Sequence, residues 1–268
     1  MMPNPPDPRH ALAIEIARQA GQLTLEYFQD ASLVVEQKED QSPVTRADRE
    51  AEQLLRSAIQ DAFPEDAILG EELEDQPGSS DYQWILDPID GTRSFISGVP
   101  LYTTLVGVLC RQEPVIGVIA APALGELLHA ASGQGTWFEQ AGKAACRAQV
   151  SETHSLEKAC LVTTQVDSFD HRTAADAYRQ FEAAAAITRT WGDGYGYMLV
   201  ATGRADVMVD PLMNLWDAAA IAPVIEEAGG IFCDWQGEQT VEHGEGLATN
   251  PGLLEQVLSI TRQFPAPC

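Results

Sequence analysis

Apolar positions along this chain change period as it proceeds. Near the start, Leu12, Ile16, Leu23 and Tyr27 recur at close to helical spacing behind Asp7-Pro8. That pair supplies an N-cap side chain and then a residue whose φ is already set for a first turn, so the spacing predicts a helix over 8–28. A second helix opens near Thr45, carries Ala51, Leu54, Leu55, Ala58 and Ile59 inward, and stops before Pro64. The runs then shorten. Segments 67–69, 84–86, 102–109 and 115–120 are apolar, bounded by Gly and Pro, and predict strands. Segments 135–138 and 145–150 flank Ala141-Gly142 and predict a hairpin. The second half alternates. It predicts strands over 160–164 and 207–209, from Ile231, and over 246–249. Helices are predicted over 176–186, 194–201 and 215–228, with a last one from Pro251. Gly229-Gly230 reads as the C-terminal cap of the helix over 215–228. Strands and helices mix in both halves, with no internal repeat and no low-complexity linker. The pattern predicts a mixed α/β fold in layers: a single unit over 1–268, in two tightly joined lobes, 1–150 and 151–268.

Charge narrows the function classes. Forty Asp and Glu face sixteen Lys and Arg, a formal charge of −24 over 268 residues. This excludes a nucleic-acid surface and an anionic membrane surface as the default partner, because both need clustered Lys and Arg. A hydrophobic fraction of 45% is enough for a packed core. No Lys or Arg occurs in 57–92 or 205–261, and half of the forty acids lie in those two stretches. The five cysteines are widely spaced, with no C-x-x-C, which argues against a disulfide framework or a thiolate zinc site and fits a reducing cytoplasm. Residues 1–10 lack the basic region and apolar run of a signal peptide. No stretch reaches the ~18 apolar residues that would span a membrane.

The chemistry gathers where apolar strands end. There is no G-x-x-x-x-G-K-[ST] loop, no G-x-S-x-G elbow and no metal-ligand spacing among the five histidines. Instead Gly70-Glu71-Glu72 follows one predicted strand, and Asp87-Pro88-Ile89-Asp90-Gly91-Thr92 follows another. Carboxylates at strand ends sit where α/β sheets build sites. Pro88 stiffens the Asp87-to-Asp90 turn, and Gly91 admits close backbone approach. One hexapeptide thus offers carboxylates to a hard cation and the Gly91 and Thr92 N–H groups to a phosphate. A lone turn of this kind reads more readily as a surface turn with N-cap aspartates.

Other segments remove that ambiguity. In order, Pro43-Val44-Thr45-x-x-Asp48, Gly70-Glu71-Glu72, Trp84-Ile85-Leu86-Asp87-Pro88-Ile89-Asp90-Gly91-Thr92-x-x-Phe95, Trp216-Asp217-x-Ala219-Ala220 and Ala228-Gly229-Gly230 resemble the motifs of the inositol-monophosphatase family, Mg²⁺-dependent and Li⁺-sensitive phosphatases. The resemblance runs from the first helix to the last. It implies an αβαβα sugar-phosphatase fold and a homodimer, with residues in 101–109 and 159–166 as candidate dimer surface. It also implies two or three Mg²⁺ held by Glu71, Asp87, the Ile89 carbonyl, Asp90 and Asp217, with Asp48 near a third, weaker position. Glu71 and the Thr92 hydroxyl would orient an attacking water, and Gly91 and Thr92 would hold the phosphate of a small substrate. Lys38 either lends charge near that phosphate or is a solvated loop lysine.

Within the family, Gly91-Thr92-Arg93-Ser94-Phe95-Ile96-x-Gly98-Val99-Pro100 and Thr190-Trp191-Gly192-Asp193-Gly194-Tyr195-Gly196-Tyr197 resemble the histidinol-phosphate phosphatase branch. That likeness implies a phosphomonoesterase of histidine biosynthesis. The neighbouring alternative is an inositol-1-monophosphatase or a broad sugar and polyol monophosphatase. By the same alignment, Asp193 and Asp210 contact the organic part of the substrate. Paired carboxylates suit an ammonium and a protonatable imidazole better than a neutral polyol, and Trp191 would add a ring face. The plainer alternatives are that Asp193 caps the following helix, that Trp191 is core and that Arg93 is a surface arginine rather than a phosphate ligand. In Gly192-Asp193-Gly194, glycine stands where branch members often place Cys or Ala.

Overall fold

In the computed structural model, residues 7–38 and 40–266 are described. Residues 1–6, Glu39, Pro267 and Cys268 lie outside them, so part of the 1–10 segment read for a signal peptide is not described. Helix α1 (Pro8–Tyr27) opens as its sequence dictates, with the Asp7 carboxylate accepting the Arg9 N–H at 2.9 Å. A short antiparallel arm follows, β1 (Val35–Gln37) and β2 (Pro43–Thr45), which the hydrophobic pattern does not announce because β1 is exposed throughout. Helix α2 (Arg46–Ala62) starts with a capping box between Thr45 and Asp48.

The first sheet has seven strands in chain order: β3 (Ala67–Gly70), β4 (Tyr82–Asp90), then, after the short helix α3 (Thr92–Ile96), β5 (Thr103–Cys110), β6 (Glu113–Ala121), β7 (Glu126–Ala131), β8 (Trp137–Gln140) and β9 (Cys146–Arg147). Only β3 and β4 are parallel. Strand β7 carries no strand signal of its own. It is rich in alanine and opens on Glu126, a buried acid paired with Arg204 at 3.0 Å.

The second half supplies β10 (Cys160–Val162), α4 (Ser168–His171), α5 (Ala175–Ala184), β11 (Ile187–Arg189), α6 (Asp193–Ala201), β12 (Val207–Asp210), α7 (Leu215–Ala218), α8 (Ile221–Glu227), β13 (Ile231–Cys233), β14 (Gly246–Thr249) and α9 (Leu254–Thr261). Its five strands are ordered β11-β10-β12-β14-β13.

Both faces of each sheet are covered, which is why the strands read as continuous apolar runs. Trp84, Leu86, Val106, Val108 and Val118 pack on α1 and α2. The alternate positions Leu105, Ile119 and Leu128 turn to a middle layer, where Met198 and Val200 of α6 and Ile221 and Val224 of α8 also meet Val162 and Met208 of the second sheet. The far face of that sheet, with Leu161, Val207 and Val209, packs on Phe169, Phe181 and Val257 from α4, α5 and α9. The layers run αβαβα. Each large core side chain contributes ~1.5–3 kcal/mol of burial. Trp84 is fully buried and satisfies its indole N–H on Asp66 at 3.0 Å.

Two expectations are corrected. The helix predicted over 215–228 is two helices, broken at Ala219-Ala220. Pro223 has no N–H for the Ala219 carbonyl, and its ring crowds that carbonyl, so a continuous helix cannot pass; Pro223 sits instead in the first turn of α8. The break packs against the first sheet at Gly107, where a Cβ would stand 2.9 Å from the Ala219 carbonyl carbon. The second correction concerns the dimer surface. Residues 103–109 form an interior strand and Leu161-Val162 lie in another, all buried, so these parts of the two segments cannot supply a docking face, and only their ends, among them Leu101 and Thr164 to Val166, reach the surface.

Candidate metal and phosphate site

The parallel strands β3 and β4 end side by side, and both ends carry acids. Glu71 leaves β3, and its N–H bonds the Leu86 carbonyl of β4 at 3.2 Å. In a regular strand Asp87 and Asp90, three apart, would face opposite ways. Pro88 has no N–H for the ladder, and the register with β5 shifts between Asp87 and Asp90. Both side chains therefore reach the same cavity, of about 230 Å³. Asp217 enters from α7, the short helix held by the break before Pro223. Its Oδ2 accepts the Asn214 N–H at 2.7 Å, which fixes the side chain at the helix start. One oxygen each from Asp87, Asp90 and Asp217 lies within 4.8 Å of the others.

Such crowding is electrostatically expensive. Burial first, then Glu71 and Asp90, hold the Asp87 carboxyl well above the usual carboxylate range. Burial, then Asp90, pushes Asp217 up to about 8. Burial raises Asp90 to about 6 despite hydrogen bonds from Thr103 Oγ1, at 2.7 Å, and from the Gly194 N–H. Glu72 rises to about 7 by burial, held down by Lys38. Oxygen-only, converging, mutually repelling ligands fit a hard divalent cation, which would relieve the repulsion.

Lys38 settles its own alternatives. Its Nζ lies 2.7 Å from Oε1 of Glu71 and 2.7 Å from Oε1 of Glu72, so it is not a solvated loop lysine but brings positive charge to the acids at the cavity's edge. Glu52 braces the same turn by accepting the Glu72 N–H at 2.8 Å and pairing with Arg56 at 2.7 Å.

The phosphate-type turn is formed as the sequence suggests. Gly91 adopts φ +84 at the N-cap of α3, open only to glycine at low cost. A Cβ there would also meet Asp193 Oδ2 at 2.6 Å, so glycine is what lets that carboxylate stand over the turn. The Thr92 hydroxyl donates to the Ile89 carbonyl at 3.1 Å, and the Ile89 N–H to Asp87 Oδ1 at 3.0 Å.

Glu71, Asp87, Ile89, Asp90 and Asp217 all line the cavity. So do Gly91, Thr92, Arg93, Asp193 and Asp210. Arg93 is exposed and has no ion-pair partner among the described residues. Asp193 is the first residue of α6, and its side chain makes no cap bond, so the capping alternative fails. Asp210 sits at the end of β12, Oδ1 accepting the Thr164 N–H and Oδ2 the Tyr197 hydroxyl, each at 3.1 Å. Burial raises it to about 6.

Two predicted residues do not line the cavity. Asp48 is fully buried behind it; Oδ2 is spent on the Thr45 N–H and hydroxyl at 2.8 and 2.6 Å, while Oδ1 has no partner. Trp191 is 43% exposed beside Arg189, neither core nor lining, because the chain turns at Gly192 against the Thr164 backbone before Asp193 enters the cavity. The rings at the cavity are those of Trp216 and Tyr197. Both stand inside sequence motifs that give them no part of their own. The sequence carries no signal for Thr164, which only the β10–β12 pairing brings beside Asp210.

The sequence pattern of the inositol monophosphatase family matches residues 6–265. A histidinol-phosphatase of Chlorobaculum parvum is 44% identical over 238 residues, covering 89% of this chain and 90% of that protein. One of Streptomyces coelicolor is 33% identical over 256 residues, covering 94% and 96%. The extragenic suppressor protein suhB of Bartonella henselae superposes with a TM-score of 0.88 at 26% identity, over 96% of this chain and 99% of its own.

Proposed function

The chain belongs to the inositol monophosphatase family, and from that premise we propose that it hydrolyses L-histidinol phosphate to L-histidinol and phosphate, with Mg²⁺ as the cation. The observation that carries this reading is that Asp193 and Asp210 line the same cavity as the acids Asp87, Asp90 and Asp217. Three carboxylates suit the cation, and two more face whatever the phosphate is attached to. Charge-assisted hydrogen bonds from an ammonium and an imidazolium would satisfy those two, where a neutral polyol would leave them charged and underpaired. Trp216 offers an aromatic face to the same group. The histidinol-phosphatase names of the two relatives support the same substrate.

When bound, Mg²⁺ supplies charge neutralisation, a water of lowered pKa and stabilisation of the leaving oxygen. Glu71, Asp87, Asp90, Asp217 and the Ile89 carbonyl would hold two or three such ions. The Thr92 hydroxyl commits its proton to Ile89, leaving its lone pairs to accept a hydrogen bond from the attacking water. Glu71, which lines the same cavity, would be a second acceptor and take the proton that the water gives up. The Gly91 and Thr92 N–H groups fix the phosphate for in-line attack. Water forms the new P–O bond, the ester P–O bond breaks, and the departing alkoxide takes up a proton. No side chain among the described residues is assigned the part of nucleophile, so the reading involves no phosphoenzyme. Asp48, away from the cavity, is assigned no direct part.

Steady-state kinetics with Mg²⁺ on L-histidinol phosphate and inositol 1-phosphate test the reading. A kcat/KM for the inositol ester equal to or above that for histidinol phosphate would overturn it in favour of a polyol phosphatase. Sedimentation tests the accompanying homodimer.

A further inference from the structure

Asp193 is held in an unusual backbone conformation. Its φ is +52, in the left-handed region that non-glycine residues enter at a cost of ~1 kcal/mol or more. That turn brings its carboxylate to Gly91 rather than to solvent or to the helix start. Something must hold it there, and the contacts identify the holder. The Asp193 N–H donates to Thr164 Oγ1 at 2.9 Å, and the preceding Gly192 packs on the Thr164 backbone so closely that no Cβ would fit. Thr164 also donates its own N–H to Asp210 Oδ1 at 3.1 Å. One residue, just past the end of β10, therefore contacts both acids that face the substrate's organic group. The next N–H, of Gly194, goes to Asp90, so the first turn of α6 is tied on one side to a metal acid and on the other to Thr164.

We infer that Thr164 is a positioning residue for substrate selection: its hydroxyl fixes the strained Asp193 backbone and its N–H orients Asp210, so that the two carboxylates converge on one cationic group. This rests on the reading of Asp193 and Asp210 as the cation-selecting pair. Thr164 need not touch the substrate; it acts through the two acids.

The test measures the ratio of kcat/KM for histidinol phosphate to kcat/KM for β-glycerophosphate. In Thr164→Val the backbone N–H to Asp210 survives and the acceptor for Asp193 is lost. The ratio is expected to fall about tenfold, chiefly through KM for histidinol phosphate, the size of one lost hydrogen bond. Thr164→Ser, which keeps the hydroxyl, restores it. Because Thr164 acts through Asp193, adding Thr164→Val to Asp193→Asn lowers the ratio no further than Asp193→Asn alone. An unchanged ratio in Thr164→Val, an equal loss in Thr164→Ser, or additive losses in the double variant would each overturn the inference. Thr164→Ala takes the place of the valine variant if a circular-dichroism melt shows that the latter does not fold. The ratio of the wild-type enzyme separately reports on the substrate reading: a wild type without preference for the cationic ester sinks that reading, whereas a preference untouched by Thr164→Val sinks only this one.

Discussion

The ammonium of Lys38 stands 2.7 Å from Oε1 of Glu71, and it bridges to Glu72 over the same distance. The chain thus brings a cation of its own into direct contact with the acidic cluster. Burial would lower the Lys38 pKa, yet its two carboxylate partners raise it above the ordinary lysine value, so the group stays charged. In Lys38→Met, Glu71 and Glu72 lose that charge, and the EDTA-treated protein is expected to melt a few degrees lower than wild type. Mg²⁺ replaces the missing charge, so the rise in Tm on adding Mg²⁺ is expected to be larger in the variant. Identical Mg²⁺-induced rises in both proteins would show that Lys38 is not coupled to the cation site.

The same electrostatics set the pH dependence of the metal-free protein. Asp217 at about 8, Glu72 at about 7, and Asp90 and Asp210 at about 6 all bind a proton more tightly folded than unfolded. A group raised in this way contributes stability below its unfolded pKa, and that contribution is lost as pH rises through the folded value. Tm in EDTA is therefore expected to fall from about pH 5 to about pH 8. Mg²⁺ favours the ionised carboxylates, so it raises Tm more at the upper end. A Tm that climbs over that window in EDTA would contradict the assignment of these acids as a repelling cluster.

Sequence reached the fold through its periods and the site through its strand ends. Both failed where tertiary contact overrode local pattern. A layered α/β fold was legible because runs such as Leu105-Val106, whose residues each face a covered side, are apolar throughout, while the αβαβα order came with the family resemblance. Strand β7 was not, since its acid is buried only because Arg204, far along the chain, pairs with it. The acids of the cavity were legible as motif residues. Thr164 was not, since nothing in its neighbours along the chain says that it ends beside Asp210. Trp191 was misplaced for a related reason: residues 191 and 193 look alike as motif positions, and only the turn at Gly192 shows that one enters the cavity and the other does not.

Glycine at 194 is tied to the acids rather than to backbone freedom. An added Cβ would stand 2.6 Å from Asp90 Oδ2, which already accepts the Gly194 N–H. Gly194→Ala is expected to shift Asp90 and lower kcat/KM about 100-fold, the scale of an ångström-sized misplacement in a site. Isothermal titration should show weaker Mg²⁺ binding alongside. Near-wild-type kinetics would mean that α6 can retreat without disturbing the acid.

The two tryptophans give a clean contrast. Trp191 is half-exposed beside Arg189, and Trp216 lines the cavity. Trp191→Ala is expected to leave KM for histidinol phosphate within about twofold, whereas Trp216→Ala raises it by about 5- to 10-fold, the scale of a desolvated cation–π contact. The reverse order would restore the ring role that the motif suggested for Trp191.

Asp217 separates stability from function. Its Oδ2 accepts the Asn214 N–H at 2.7 Å, a bond that an asparagine carbonyl keeps, so Asp217→Asn preserves the helix start while removing the charge. Wild-type Asp217, with a pKa of about 8, must at neutral pH either hold a proton or bury an anion beside Asp90. The variant does neither. In EDTA at about pH 8, Asp217→Asn is expected to melt several degrees above wild type, and at about pH 5, where the wild-type group is protonated, the difference should vanish. Activity moves the other way: a lost ligand at a site of charge development costs on the order of 10²- to 10³-fold in kcat, and the Mg²⁺-induced rise in Tm shrinks. A site that is destabilising when empty and required when filled produces this opposed pair of effects. If Asp217→Asn melted below wild type in EDTA at about pH 8, the carboxylate would be a structural anchor, and the repelling cluster would not include it.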